Sequence, residues 1–264
     1  MHIKNHSLSL PLIKKEDGEK KPWGPLAAVF LTVLIYFVAQ VVAAVVVSLY
    51  PLVKGWSSAT TEAWLTTSVT AQFFLILILE ALTVCGVLFL LKVRQMKPST
   101  IGIKKPKLKD FVYALAGIGI YFMIYAAIFL FIRHFLPQIN LDQKQELGFH
   151  AGEQGINLVL IFFSLVVFPP IAEEVICRGF LYTGLRTKLS IWPAAVITSV
   201  LFAMAHLQFG SGAPLLWTAA IDTFVLSMVL VYLREHTGSL VSPVMLHMMK
   251  NCAAFVLLFI FMVN

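Results

Sequence analysis

The chain has 264 residues, of which 59% are hydrophobic and only 12% charged. A soluble domain carries about 25% charged residues, so the composition excludes an ordinary water-soluble fold. The net charge of +7 does not point to nucleic acid: the lysines gather beside apolar runs, as the positive-inside rule requires, and no aromatic residue interleaves Lys92–Lys109 as a base-stacking surface needs.

A helix crosses the hydrocarbon core with about 20 residues. Lys4, Lys14, Lys15, Lys20 and Lys21 make residues 1–24 a basic segment, expected in the cytoplasm. That segment and the apolar run from Leu26 to Tyr50 are both too long for a cleavable signal peptide. Residues 25–264 read as a single membrane domain with no linker and no internal repeat. Spans are expected at about 25–50, 69–91, 111–132, 156–187, 192–207, 214–233 and 240–262. The fold class is therefore all-α, a polytopic membrane helical bundle of about seven spans. Pro51 to Thr70, rich in Ser and Thr, is expected outside. Lys92–Lys109, with seven cations, is expected in the cytoplasm, and the mixed stretch from Arg133 to Gly155 outside.

The fourth span is expected to be broken. Proline lacks an N–H and clashes with the preceding turn, so Pro169-Pro170 predicts a new helix starting near Pro170 and running towards Lys188. Glu173 and Glu174 then occupy its first turns, where the dipole favours negative charge. Broken helices at membrane depth line a cavity or a protein interior. Simple topology puts Glu173 near the cytoplasmic side, whereas His206 lies roughly 20 Å along a straight fifth span. The chemistry below needs them close together.

Placing one ionisable side chain at the bilayer centre costs about 2.5–3.5 kcal/mol. The C-terminal half nevertheless holds Glu173-Glu174-x-x-x-Arg178, Phe202-x-x-x-His206 and His247-x-x-x-Asn251. Such groups are tolerable when they face each other around a water-filled cavity. Residues four apart share a helix face, so Glu174 and Arg178 are expected to pair. Glu173 points about 100° away and is left to act as a base. His247 and Asn251, also four apart, can donate two hydrogen bonds to one oxygen, as an oxyanion hole requires. His206 comes from another helix and is expected to share or orient a water with Glu173.

Two further charges interrupt the spans. Lys250 beside Asn251 can pair with Asp222 of the sixth span. Glu80, midway along the second, is expected to hydrogen-bond a neighbouring helix. Cys85, Cys177 and Cys252, an odd number without CxxC spacing, argue against a disulfide framework or zinc knuckle. A cysteine protease built on Cys177 or Cys252 is a poorer reading, since neither has an evident thiolate-stabilising arrangement.

The three motifs resemble those of the CAAX-protease and bacteriocin-processing family of intramembrane proteases, also called the Abi family. Residues 172–182, including Arg178-Gly179-Phe180-Leu181-Tyr182, are similar to its first motif. Residues 199–206 resemble the second. Thr237-Gly238-Ser239-Leu240, Pro243, Leu246-His247 and Asn251 resemble the third. The match covers about 156–255, the catalytic-type core, and residues 1–110 share only generic spans. The resemblance implies an integral membrane endopeptidase, in a bacterial cell membrane, acting through a glutamate-activated water without a cofactor. Glu173 is then the base, assisted by His206, with His247 and Asn251 on the oxyanion and Glu174 and Arg178 in support. Membrane lipid and a peptide or protein substrate are the expected partners, with no nucleic acid.

The rival mechanism is zinc, with Glu173, His206 and His247 as ligands, although the spacing that places two ligands on one helix face is missing. The rival class is a non-enzymatic membrane immunity or regulatory binding protein. A transporter built on the same cavity would call for inverted repeats, which the sequence lacks.

Overall fold

The computed structural model describes residues 22–143, 148–150, 152–207 and 215–261. The early lysines Lys4, Lys14, Lys15, Lys20 and Lys21, together with Lys144 and Glu146, lie outside the described residues. Among the described residues every regular element is helical. In chain order these are α1 (Pro25–Val53), α2 (Ser58–Thr67), α3 (Val69–Val93), α4 (Leu108–Phe135), α5 (Ile156–Leu185), α6 (Ile191–Ala205), α7 (Trp217–Thr237) and α8 (Val241–Ile260). A short 3₁₀ turn, Pro98–Ile101, sits between α3 and α4.

Local chemistry sets the boundaries. Pro25 starts α1 at a position where a missing N–H costs nothing. Ser57 and Ser68 cap α2 and α3 by accepting the amides of Thr60 and Ala71. Gly238 ends α7 in the left-handed conformation.

Six of these helices are long and apolar enough to cross a membrane; the exception among the apolar ones is α6, at 15 residues. The chain is an integral membrane protein, a polytopic helical bundle. The fifth expected span, 192–207, is thus a shorter helix, ending where His206 begins to turn the chain.

The bundle has an inside and an outside. In the most apolar stretch of α1 only 11% of residues are buried, against 44% for α5 and 56% for α7. Phe30, Phe37, Leu115 and Met123 on α1 and α4 face outward, as lipid-facing residues must. The largest core cluster surrounds α5: Val175, Ile176, Phe180, Leu181 and Leu185 pack with Ala28 of α1, Val87 and Leu91 of α3, Ala194 and Ala195 of α6 and Ile101. Trp23, just ahead of α1, stacks on Phe180 at 4.0 Å and donates its indole N–H to the Phe180 carbonyl. A second cluster joins α4, α7 and α8 through Tyr121, Leu226, Leu230 and Leu246.

The expected break at Pro169-Pro170 is not present. The helix runs unbroken from Ile156 to Leu185 and absorbs the prolines by widening. Phe163–Val167, just before them, forms a π-type turn in which the Phe168 amide reaches back to the Phe163 carbonyl. A second π segment, Glu174–Leu181, follows. Such widened turns let a helix pass a residue that cannot join the regular hydrogen-bond ladder. The correction also removes the depth conflict between Glu173 and His206. Glu173 lies 12 residues before the end of α5, and α6 returns after a short connection, so His206 lies 15 residues along it. Both therefore sit roughly 20 Å from that end of the bundle.

Candidate active site

The site is assembled from α5, α6 and α8. Glu174 and Arg178, four apart on α5, meet at 2.8 Å, and both are fully buried. The guanidinium also lies over the Phe202 ring of α6, 4.3 Å from its centre, a favourable place for a cation beside an aromatic face. Phe202 therefore lies at the depth of Arg178. Its partner in the second motif, His206, lies one turn further along α6.

His247 of α8 joins the two carboxylates. Its Nδ1 is 2.9 Å from Glu174 Oε1, and its Nε2 is 3.7 Å from Glu173 Oε2. A carboxylate accepts and does not donate, so Nδ1 carries the proton given to Glu174, and Nε2 is turned to Glu173. The Phe202 ring meets the imidazole edge-on at 6.0 Å. The adjacent glutamates thus differ as their spacing predicts. Glu174 is enclosed by Arg178 and His247, whereas the Glu173 side chain keeps 22% of its exposure.

His206 Nδ1 lies 2.8 Å from the Phe202 carbonyl. A carbonyl only accepts, so Nδ1 is the donor and the neutral ring keeps the Nε2 lone pair for another partner. No direct hydrogen bond joins His206 to Glu173 among the described residues.

Asn251 donates Nδ2–H to the Leu165 carbonyl at 2.9 Å. The reason lies in the prolines. Leu165 would ordinarily receive the amide of residue 169, or of residue 170 in a π turn, and both are proline. Asn251 supplies the missing donor from α8. One of its two amide protons is thereby fixed on the backbone, and the other remains for a further acceptor. Two consecutive prolines signal such an orphaned carbonyl in the sequence, but not which residue will meet it.

The remaining polar groups find mixed places. Lys250 pairs with Asp222 at 2.7 Å, and Tyr121 of α4 also donates to Asp222, so this intramembrane charge is neutralised across α4, α7 and α8. Glu80 on α3 is 7% exposed and makes no hydrogen bond among the described residues, contrary to the expected helix-to-helix bond. It lies instead within electrostatic reach of Glu173, as does Tyr36 of α1. Tyr36 carries no sequence signal, since it sits in an apolar run that reads as a plain span. The three cysteines are free thiols. Among the described residues no three His, Cys, Asp or Glu side chains converge closely enough to hold a metal ion.

No solved structure matches the chain. A protein of Escherichia coli described as an uncharacterized 24.3 kDa protein is 31% identical over 94 residues. That alignment covers 35% of this chain and 41% of the relative, so the chain aligns with less than half of that relative's length. The three motifs and the side chains gathered by α5, α6 and α8 all lie within residues 155–253, and over those residues the chain matches the family of type II CAAX prenyl endopeptidases described as Rce1-like.

Proposed function

We propose that the chain is an intramembrane endopeptidase in which Glu173 activates the water that attacks a peptide bond. The observation that carries this reading is the pair of glutamates on α5. One is enclosed by Arg178 and His247, and the other is partly exposed 3.7 Å from the free nitrogen of the same imidazole.

Glu173 takes a proton from a water as it adds to the scissile carbonyl, and passes that proton to the departing amine as the C–N bond breaks. His206 holds the water through Nε2. The tetrahedral oxygen needs donors fixed in advance. The second amide proton of Asn251 is one, and His247 Nε2–H is the other when the ring is doubly protonated between Glu173 and Glu174. Glu174 and Arg178 hold the His247 ring. The membrane lipid solvates α1, α3 and α4, and the substrate is a membrane-anchored peptide or protein. The family description makes a prenylated C-terminal peptide the first substrate to try. A cell membrane of bacterial type is the expected location.

One observation keeps a second mechanism in view. A histidine that donates one nitrogen to a carboxylate presents the other as a well-oriented metal ligand, and His247 does so. Zinc would need Glu173, His206 and His247 as ligands, and among the described residues these three do not converge closely enough to hold it, so the metal-free reading is preferred.

The test is cleavage of a prenylated, membrane-anchored peptide by purified full-length protein, beside Glu173→Gln, with and without a chelator. The expected result is cleavage that Glu173→Gln abolishes and the chelator leaves intact. Loss on chelation with recovery on zinc would replace the mechanism. Equal cleavage by both proteins would remove Glu173 from it. Absence of cleavage across a panel of such peptides, with tight binding of one of them, would favour the regulatory binding protein.

A further inference from the structure

We propose that Arg234 and Lys104 form a binding site for a phosphate group at the membrane face of the bundle, away from the three motif helices' polar cluster. Arg234 stands in the last turn of α7, and its Nε is buried without a hydrogen-bond partner among the described residues. The usual role for a cation here, bonding the last carbonyls of its helix, is filled by others. The Gly238 amide takes the Arg234 carbonyl, and the Thr237 hydroxyl takes that of Leu233.

The guanidinium lies instead across the backbone of Gly102. A Cβ at that position would come within 2.7 Å of its Cζ and Nε, and Gly102 has φ +87, a conformation that favours glycine. The Gly102 carbonyl accepts the Leu240 amide at 2.8 Å, so the segment after the 3₁₀ turn is tied to the start of α8. Lys104 follows two residues on, with its Nζ against Gly238.

The neighbouring carboxylates are engaged elsewhere. Glu235 takes both Arg186 and the Tyr182 hydroxyl, at 2.9 and 2.6 Å. Asp110 accepts the Lys107 amide at 2.8 Å and the Ser242 hydroxyl at 3.2 Å. Glu235 acts on Arg234 electrostatically and Asp110 on Lys104, but among the described residues neither cation forms an ion pair with a carboxylate. Burial and the charges of Arg234, Lys107 and Lys109 push the Lys104 ammonium below its ordinary pKa, with Asp110 a smaller opposing influence. A bound anion would relieve that excess.

Phosphate suits the pair. The guanidinium offers a planar fork of donors and the ammonium a point charge. The site lies where α3 ends, α4 begins and α7 passes to α8, at the depth of a lipid headgroup. The phosphate can thus come from an anionic phospholipid or from solution.

The experiment follows the unfolding temperature of the full-length protein in neutral detergent. Dihexanoyl phosphatidylglycerol and inorganic phosphate are titrated separately against sodium chloride of equal ionic strength. A saturable rise with either probe is expected. Saturation by the phospholipid alone assigns the headgroup, and saturation by inorganic phosphate assigns the free ion. Lys104→Ala, a surface change that keeps the fold, and Arg234→Gln should each weaken the apparent affinity at least tenfold, while Lys105→Ala on the same exposed segment leaves it unchanged. No saturable rise with either probe overturns the site. So does an equal loss in Lys105→Ala and Lys104→Ala, which would mean a diffuse basic belt.

Discussion

Arg178 is the residue with the most at stake. Its side chain is fully buried, yet among the described residues only Nη1 has a hydrogen-bond partner, and Nε, Nη2 and Glu174 Oε2 have none. A buried charge pair this sparsely bonded gives little net stability, but losing one member leaves the other uncompensated, at about 3–5 kcal/mol. Glu174→Gln, of equal size, should therefore destabilise the protein by about that amount and abolish cleavage. Adding Arg178→Met should restore most of the stability, since the stranded charge is gone and the apolar stem still packs on Phe202. Cleavage should stay absent, because His247 has lost the carboxylate that orients it. Reversible unfolding in mixed detergent and denaturant reads the first quantity, and peptide cleavage the second. Activity that returned with stability would show that Glu174 only balances Arg178. This pairing was legible in the sequence because it depends on four-residue spacing within one helix. The attachment of His247 was not, because 73 residues separate it from Glu174.

At the scale of the element, α5 is held together by a donor from another helix. Pro169 and Pro170 leave the Leu165 carbonyl without a backbone partner, and Asn251 fills the place at 2.9 Å. An unsatisfied buried group costs about 1–3 kcal/mol, so Asn251→Ala should destabilise by that much through α5 as well as through α8. Pro169→Ala returns an N–H four residues after Leu165, as an ordinary helix requires. In that background the cost of Asn251→Ala should fall by about 1 kcal/mol or more, a coupling that a double-mutant cycle isolates. Additive effects would mean that the hydrogen bond carries no stability. The same arithmetic explains the mistaken break. Reading the sequence counted the amides that two prolines remove and predicted two helices. It could not count a side-chain amide 86 residues away, nor the indole of Trp23 on the Phe180 carbonyl within the second widened segment. The apolar runs, which depend on local periodicity, were legible as helices; the bounds expected for α6, 192–207, lie close to those observed, but a helix of 15 residues is shorter than a full span.

For the whole molecule, contacts among the described residues gather the ends of the helices onto two faces. The Gly102–Leu240 hydrogen bond, the Arg186–Glu235 pair and Trp23 against Phe180 gather the start of α1 and the α3–α4, α5–α6 and α7–α8 connections on one face. Gln143 bonding the Leu215 carbonyl, and Thr218 bonding that of Leu141, place the residues that follow α4 beside the start of α7 on the other. Alternation of the spans puts α2 on that second face. The first face carries Arg94, Lys97, Lys104, Lys105, Lys107, Arg186 and Lys188, and the second carries Lys54 and Arg133 with Glu62, Asp142 and Glu153. The bias of lysine and arginine towards the cytoplasm predicts an orientation with the α3–α4 connection and the start of α1 inside. The exposed Ser99 and Ser58 report on opposite faces. With Cys85, Cys177 and Cys252 replaced, Ser58→Cys should react with a membrane-impermeant maleimide on intact cells, and Ser99→Cys only after permeabilisation. The reverse pattern would invert the molecule. Labelling of both positions on intact cells would mean that the odd number of crossings between them is wrong, and with it the placement of α3 as a full span. The orientation matters for chemistry as well. Glu173 lies roughly 18 Å from the end of α5 by helix rise, so a substrate whose cleavable end is cytoplasmic must be drawn into the bundle to reach it.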